Sequence, residues 1–313
     1  MSFDMDYEAL FNNAEFKALA VHDFLELDIK PREHILSPWL PAQGLAMIYA
    51  PRGIGKTYVA LSIASAIVRG TSFLKWNAPA PRSVLYIDGE MPAITMQERL
   101  TNITRNQPEP GAAFHILTPD LQPRCMPDLA DPLHQSMLDS IIEDFELIII
   151  DNISTLCRTK ENDADAWSLV QNWALRMRAK GKSVLFIHHA GKAGNQRGTS
   201  KREDILDTVV SLEELENHNP SDGAAFEVHF KKARGFCGEA AEPFTAKMST
   251  SADGSVQWEM AGVKASVYNQ VIELLQHGVK QQDIAEHLQI NKSNVSRYAA
   301  RAKLEGKLRS CVA

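Results

Sequence analysis

The sequence has few cysteines and no long apolar run, and these absences exclude several classes of protein. Its four cysteines, Cys125, Cys157, Cys237 and Cys311, lie far apart and form no Cys-x-x-Cys pair. We therefore expect neither a disulfide framework nor a zinc site, but reduced thiols in a cytoplasm. No apolar run approaches the roughly 20 residues that span a bilayer. The start, MSFDMDYE, lacks the basic-then-apolar order of a secretory signal. These features predict a cytoplasmic protein with no membrane partner.

An excess of positive charge is also missing. The 313 residues are 44% hydrophobic and 23% charged, with a formal net charge of −6. This composition is ordinary for a globular protein, and the length allows one large domain and a smaller one. A general binder of polyanions would be basic overall. Any contact with nucleic acid is therefore expected from local basic patches.

Short apolar runs alternate with helical stretches between Leu45 and about Leu215. The runs are nearly continuous, which is typical of strands buried on both faces of a parallel sheet: LAMIYA (45–50), SVLYIDG (83–89), ELIIID (146–151) and SVLFIHH (183–189). Two intervening segments, KTYVALSIASAIVRG and DADAWSLVQNWALRMRAKG, have helical periodicity and end at a glycine. The pattern predicts an α/β fold with a mostly parallel central sheet and right-handed crossovers. EVHFKKARGF (227–236) is predicted to form a later strand.

Composition divides the chain into four parts. We predict a lead-in segment (1–43), whose prolines exclude a long helix, and an α/β core (44–248). The polar stretch MSTSADGS then marks a linker (249–263), and a small all-α domain (264–313) follows.

The last part of the chain has the pattern of a helix-turn-helix. KQQDIAEHL (280–288) and KSNVSRYAARAKLEGKL (292–308) are predicted helices joined by a short turn at 289–291. Basic residues outnumber acidic ones there, and Lys292, Arg297 and Arg301 are the candidate contacts to a specific duplex DNA site. The alternative is a helical bundle used for packing or oligomerisation, whose basic residues are merely solvated.

Residues 50–57, APRGIGKT, nearly match the P-loop pattern, which is Gly, four residues, then Gly-Lys-Thr or Gly-Lys-Ser. Ala50 stands in place of the first glycine. Gly53 and Gly55 still supply the backbone freedom that lets amides turn toward phosphates ahead of a helix N-terminus. Ala50 needs only to leave the strand without a positive φ. We predict a working ATP site, with Lys56 on the β- and γ-phosphates and the Thr57 hydroxyl on Mg²⁺. Its residues are Gly53, Ile54, Gly55, Lys56, Thr57 and Tyr58.

Two carboxylates follow later strands of the predicted sheet. Asp151 ends FELIIID and suits a role in orienting Mg²⁺ through its water shell. Many parallel strands end in Asp, so Asp151 alone is a weak indication. Glu90 follows VLYID in DGEMP, where a general base for water attack would be near the γ-phosphate. The alternative is that Glu90 is a carboxylate that favours the start of a helix before Pro92.

Five segments in order carry a resemblance to a known family. They are PREHILSPWLPAQGLAMIYAPRGIGKT, VLYIDGEMP, LIIIDNIS, VLFIHHAGK and RGTSKREDILDTVVSL. Together, over roughly residues 24–245, they resemble the RecA/DnaB superfamily of P-loop ATPases, in the branch with the plasmid RepA-type hexameric DNA helicases. The resemblance implies a RecA-like core, ATP and Mg²⁺ as cofactors, a homo-hexamer and single-stranded DNA in the ring channel. Ala50 and the C-terminal helix-turn-helix depart from the family pattern.

The resemblance also implies roles for residues after Asp151. His188 or His189 would sense the γ-phosphate, whereas a metal pair is disfavoured because neighbours in a strand point to opposite faces. The segment AGKAGNQRGTSKRED would face the channel and contact DNA, or it is a solvated loop. Lys232 and Arg234 would reach a neighbour's γ-phosphate as arginine fingers do, and Arg197 is a rival for that role. The candidate DNA contacts in the loop are Lys192, Arg197, Lys201 and Arg202.

These interpretations favour an ATP-hydrolysing, ring-forming DNA motor. Its expected activity is that of a replicative-type helicase of a plasmid, phage or integrated element. The alternative is a DNA-binding ATPase switch, regulator or loader that does not unwind DNA.

Overall fold

The computed structural model describes residues 18–157, 164–191, 203–215, 223–304 and 307–308. The chain divides into two compact units, residues 1–32 and residues 33–313. In the first unit, the short helix α1 (Val21–Leu25) has no buried residue. Within the described ranges, no helix combines the length and the apolar character that crossing a bilayer requires.

The second unit contains the strands and the remaining helices. Its strands are β1 (His34–Leu36), β2 (Leu40–Pro41), β3 (Leu45–Ala50), β4 (Ser72–Phe73), β5 (Trp76–Asn77), β6 (Val84–Asp88), β7 (Phe114–Leu117), β8 (Leu147–Asp151), β9 (Ser183–His189), β10 (Thr208–Glu214), β11 (Ala225–Ala233), β12 (Phe244–Thr250) and β13 (Val256–Gly262). Its helices are α2 (Lys56–Arg69), α3 (Ala93–Thr104), α4 (Pro132–Ile142), α5 (Ile153–Leu156), α6 (Ala164–Ala179), α7 (Val263–Gln276), α8 (Gln281–His287) and α9 (Lys292–Leu304).

Nine strands form one central sheet in the order β13-β12-β11-β10-β3-β9-β8-β6-β7. The strands from β10 to β7 are parallel to one another. The strands β11, β12 and β13 extend the sheet in antiparallel fashion, because their short connections reverse the chain direction. The prediction of an α/β fold with a mostly parallel central sheet is confirmed.

Helices cover both faces of the parallel strands, so these strands are buried on both sides. Alternate residues of β3 belong to different layers, since successive side chains in a strand point to opposite faces. One layer packs against α2, and it includes Ile48, Ile149, Leu185, Val59 and Ile63. The other packs against α6, and it includes Met47, Ile148, Phe186, Val170 and Trp173. The continuous apolar runs in the sequence reflect this double burial.

The sheet extends further toward the C-terminus than the sequence predicted. Within the expected linker, 249–263, residues 256–262 form the edge strand β13, paired with β12. Trp258 explains the strand: its indole N–H donates to Ser62 Oγ at 3.2 Å, and its ring lies 5.4 Å from that of Phe73. Trp258 is thereby packed onto α2, while Gln257 and Glu259 alternate with it. Part of the expected lead-in, 34–41, likewise belongs to the second unit as β1 and β2.

The three C-terminal helices lie where the sequence predicted helices. They pack around Val271, Ile284 and Val295, each fully buried. Residues 288–291 connect α8 to α9, and Gln289 has a positive φ of 49°, which is typical of a tight turn.

Candidate functional site

The phosphate loop connects β3 to α2 across residues 51–55. Gly53 and Gly55 adopt positive φ angles of 82° and 108°, a conformation that favours glycine. At Gly55 a side chain is also excluded by space, because a Cβ would lie 2.6 Å from the Cβ of Ala224. Ala50 remains a regular residue of β3 that pairs in register with His189, and it does not have a positive φ. The missing first glycine therefore leaves the loop geometry intact.

Lys56 lies inside this loop. Its Nζ donates to the carbonyl oxygens of Pro51 at 2.6 Å and Ala50 at 3.1 Å. The side chain is 7% exposed. Burial lowers the pKa of Lys56 to about 8, against the opposing effect of the negative charges of Asp151 and Glu90. The pKa of Lys56 is therefore much closer to neutral pH than that of an exposed lysine.

Asp151 forms the floor of the site at the end of β8, where it is 4% exposed. Its Oδ2 accepts a hydrogen bond from the Tyr86 hydroxyl at 2.6 Å, and the Thr57 side chain also hydrogen-bonds to the carboxyl group. Burial raises the pKa of Asp151, while these hydrogen bonds and the charge of Lys56 lower it. The side-chain oxygens of Asp151 and Thr57 therefore lie next to each other, as two donors of lone pairs to a metal ion would.

These two donors fit Mg²⁺, which is usually held by one or two protein oxygens while its other positions carry water and phosphate oxygens. Bound there with a nucleotide, Mg²⁺ would neutralise charge on the phosphates. Among the described residues, no group of three or more His, Cys, Asp or Glu side chains is arranged to hold a metal.

Glu90 is exposed in the turn after β6 and faces the same cleft as Lys56. The Gly89 N–H donates to the carbonyl oxygen of Asp151 at 2.7 Å, which ties this turn to the end of β8. A Cβ at Gly89 would overlap the Thr155 hydroxyl, so this close approach requires glycine.

The cleft has a volume of about 940 Å³. It brings together most of the residues that the sequence predicted for the ATP site. Those lining it are Gly53, Ile54, Gly55, Lys56, Thr57, Tyr58, Glu90, Asp151 and His189. The sequence did not point to Arg99, whose guanidinium lies 4.7 Å from the centre of the Tyr58 ring at the wall of the cleft. Arg99 is part of an ordinary amphipathic helix, and no motif distinguishes it.

The two histidines at the end of β9 lie on opposite faces of the sheet. His189 lines the cleft, beside Ala50. His188 is fully buried and pairs in register with Tyr49, whose side chain belongs to the layer on the α6 side. Of the two candidates for a phosphate sensor, His189 is the one next to the phosphate loop.

Lys232 and Arg234 do not join this cleft. Lys232 pairs in register with Val209, next to the Thr208–Ala46 pair near the start of β3. The phosphate loop follows the other end of β3, so Lys232 and the loop lie at opposite ends of the strands. Lys232 Nζ donates to the carbonyls of Glu203 and Asp204. Arg234 donates to the same Asp204 carbonyl at 3.5 Å. Neither cation can reach the cleft of its own chain in this arrangement.

The predicted DNA contacts divide into two sets. Lys192, Arg197, Lys201 and Arg202 lie outside the described residues. Lys292, Arg297 and Arg301 are exposed on α9. The Arg301 guanidinium lies over the Tyr268 ring, 4.6 Å from its centre, whereas Arg297 donates to Asn294 Oδ1 one turn earlier on the same helix.

A second buried carboxylate, Asp88, was not among the predicted site residues. It is 1% exposed and pairs in register with Asp151 on the neighbouring strand. Burial, together with the charges of Asp151 and Glu90, raises the pKa of Asp88 to about 7, against the lowering effect of backbone hydrogen bonds from Met91 and Glu90. The signal in the sequence was the shared ending of VLYID and LIIID, two adjacent strands that each finish in Asp.

The chain is similar to one protein family and to several solved structures. A model of the AAA domain family, AAA_25, matches residues 11–195. Among similar solved structures is the flagellar accessory protein FlaH from Methanocaldococcus jannaschii, with 14% identity and a TM-score of 0.48 over 71% of this chain and 91% of that one. Another is the KaiC-like protein PH0186 from Pyrococcus horikoshii OT3, with 11% identity and a TM-score of 0.49 over 73% of this chain and 99% of that one.

The matched region of the family model contains the phosphate loop, Glu90, Asp151 and both histidines, and it ends before Lys232 and the C-terminal helices. The match covers more than half of the chain. The chain therefore belongs to the AAA domain family and is a P-loop ATPase with a RecA-like α/β core.

Proposed function

We propose that the chain is the subunit of a ring-forming, ATP-dependent DNA motor, a replicative-type helicase of a plasmid, phage or integrated element. One observation carries the proposal: the cleft holds the phosphate loop, Asp151 and Glu90, while Lys232 and Arg234 lie at the opposite end of the strands of the same sheet. A chain with its cations so placed can offer them to the cleft of a neighbour. The proposed assembly is a hexamer in which adjacent subunits share each ATP.

Each residue then has a defined part in hydrolysis. Lys56 neutralises the β- and γ-phosphates, the Thr57 hydroxyl would bind the accompanying Mg²⁺, and Asp151 would orient this ion through its water shell. Glu90 accepts a proton from the attacking water, and His189 contacts the γ-phosphate. Lys232 and Arg234 of the adjacent subunit offset the charge that develops as the bond to the leaving ADP breaks.

DNA would be held in two places. Single-stranded DNA in the ring channel would contact Lys192, Arg197, Lys201 and Arg202, since cations on a loop can follow a phosphate backbone. A specific duplex site would contact α9 through Lys292, Arg297 and Arg301.

A second candidate function is a DNA-binding ATPase switch or loader that does not unwind DNA. The exposed Arg297 in the first half of α9 favours it, because the N-terminal part of a recognition helix is the part that reaches base edges in helix-turn-helix proteins.

Strand displacement tests the proposal and separates it from the second candidate. We expect the protein with ATP and Mg²⁺ to displace a labelled strand from a forked duplex. Glu90→Gln should retain ATP binding while turnover and displacement fall by at least ~10²-fold, the scale of a general base. Hydrolysis without displacement on forks of either polarity would contradict the helicase and leave the switch. Normal turnover by Glu90→Gln would contradict its assignment as the base.

A further inference from the structure

The turn that carries Glu90 is built around the buried carboxylate of Asp88. Asp88 Oδ2 accepts a hydrogen bond from the Met91 N–H at 2.9 Å, and the Glu90 N–H also hydrogen-bonds to the Asp88 carboxyl group. Two successive backbone donors therefore share one acceptor group. Such a pair of bonds fixes the direction in which the intervening Cα–Cβ bond of Glu90 points.

Thr118, which follows β7, holds the other side of the same turn. It is 2% exposed, and its hydroxyl lies 3.2 Å from the Met91 carbonyl oxygen and 3.5 Å from Asp88 Oδ2. The shorter contact makes the Met91 carbonyl its main acceptor. Together with the Gly89 bond to Asp151, these contacts attach the turn to the ends of three neighbouring strands, β6, β7 and β8.

The Glu90 side chain depends on this backbone support. Within the described residues, no hydrogen bond holds the Glu90 carboxylate itself, which is exposed at the cleft. By contrast, Asp88 does not line the cleft and is 1% exposed. Asp88 is therefore too deep to meet an attacking water and can influence one only through Glu90.

We propose that Asp88 is a positioning residue for ATP hydrolysis: its carboxylate, assisted by the Thr118 hydroxyl, orients the turn so that Glu90 faces the γ-phosphate. The inference rests on the proposed role of Glu90 as general base. It assigns to Asp88 and Thr118 a function in the rate of the chemical step and not in nucleotide binding.

A double-mutant cycle tests the proposal on the full-length protein. Asp88→Asn is nearly isosteric but replaces one acceptor oxygen with a donor that faces a backbone N–H. We expect kcat to fall about 10- to 100-fold, the scale of a misplaced catalytic group, while the Kd for ATP stays within about twofold. In the Glu90→Gln background, Asp88→Asn should change the residual turnover less than about twofold, because residues that act through one another are not additive.

Thr118 provides an independent pair of variants in case Asp88→Asn is poorly folded. Thr118→Val is isosteric and lacks the hydroxyl, so it should lower kcat by several-fold; Thr118→Ser keeps the hydroxyl and should restore it. Thermal melting of all variants shows whether each is folded under the assay conditions.

Three results would overturn the inference. One is unchanged kcat for both Asp88→Asn and Thr118→Val while Glu90→Gln is impaired, which leaves the proposed function standing. Another is an equal loss from Asp88→Asn with and without Glu90. The third is normal turnover by Glu90→Gln, which would remove the general base and the residue proposed to position it together.

Discussion

Lys56 shows how a single buried residue sets the conditions under which the site can work. Burial removes its ammonium group from water and lowers its pKa to about 8, well below the ordinary value for lysine, even though two backbone carbonyls accept its hydrogen bonds. The phosphates of a bound nucleotide would stabilise the charged form and raise this pKa. Nucleotide binding is therefore expected to be coupled to proton uptake above pH 8.

This coupling predicts the pH dependence of ATP affinity. Below pH 8 Lys56 is already charged, and the Kd should not change through this group. Above pH 8 the free protein loses the proton that the complex keeps, so the Kd should rise by up to about tenfold per pH unit. Titration calorimetry between pH 6.5 and 9.5 measures it. Lys56→Ala should bind ATP weakly and show a flat profile over the same range. An unchanged wild-type Kd at pH 9.5 would contradict the prediction.

At this scale, motifs identified the residues whose spacing along the chain reflects their chemistry. Gly53 to Tyr58 could be predicted because a loop followed by a helix encodes the phosphate site locally. Asp88 could not be chosen in the same way. Its importance comes from register pairing with Asp151 and from Thr118, 30 residues further along the chain. Spacing alone does not reveal contacts between neighbouring strands.

Helix α9 is the element in which packing and recognition can be separated. Val295, Ala299 and Ala302 form its buried side. Arg301 lies against Tyr268 of α7, so it contributes to the packing of this bundle as well as to its charge. Arg297 donates to Asn294 of its own helix, and it remains exposed. The two arginines are therefore a matched pair for mutation.

We expect Arg297→Ala to weaken binding to duplex DNA and Arg301→Ala to weaken folding. Loss of Arg297 should lower duplex affinity about tenfold, within the range of one base or phosphate contact, without changing the melting temperature. Loss of Arg301 should lower the stability of the bundle by about 0.5–1 kcal/mol, through its contact with Tyr268. Fluorescence anisotropy with a mixed-sequence duplex at low salt measures the first, and calorimetry the second. Wild-type affinity in Arg297→Ala would favour α9 as a packing element.

Strand β13 shows where element prediction from sequence stopped. The polar stretch before it suggested a linker, and the alternation of Val256, Trp258 and Met260 with polar residues is short. The strand forms because Trp258 finds a place against α2 and Phe73, nearly 200 residues away along the chain. Burial by such a distant partner is invisible to a local pattern. The strands β3 and β9 were predictable because their apolar runs reflect burial on both faces.

At the scale of the whole molecule, the distance between the cleft and Lys232 and Arg234 has the largest consequence. The length of the strands lies between the cleft and these two cations, so one chain cannot bring its own Lys232 and Arg234 to its own phosphate loop. The alternation of strands and helices was enough to predict the α/β core. It could not predict that β11 runs antiparallel and carries its C-terminal end away from the cleft.

Mixing experiments test whether the cations act between subunits. Arg234→Ala supplies an intact cleft without the arginine, and Lys56→Ala supplies the arginine with a defective cleft. Each should be nearly inactive alone, and mixed assemblies should recover part of the wild-type ATPase rate, because some interfaces then combine two intact halves. Turnover as a function of mixing ratio is the measurement, with Lys56→Ala/Arg234→Ala double-mutant subunits as the control that adds no activity. Absence of recovery in assemblies shown to exchange subunits would contradict action in trans.

The junction at Gly262 and Val263 has a mechanical consequence. The last residue of the sheet is followed directly by the first residue of α7. No irregular segment that could extend under force therefore lies between the sheet and α7. A displacement of β13 is therefore passed directly to α7 and to the two helices packed against it.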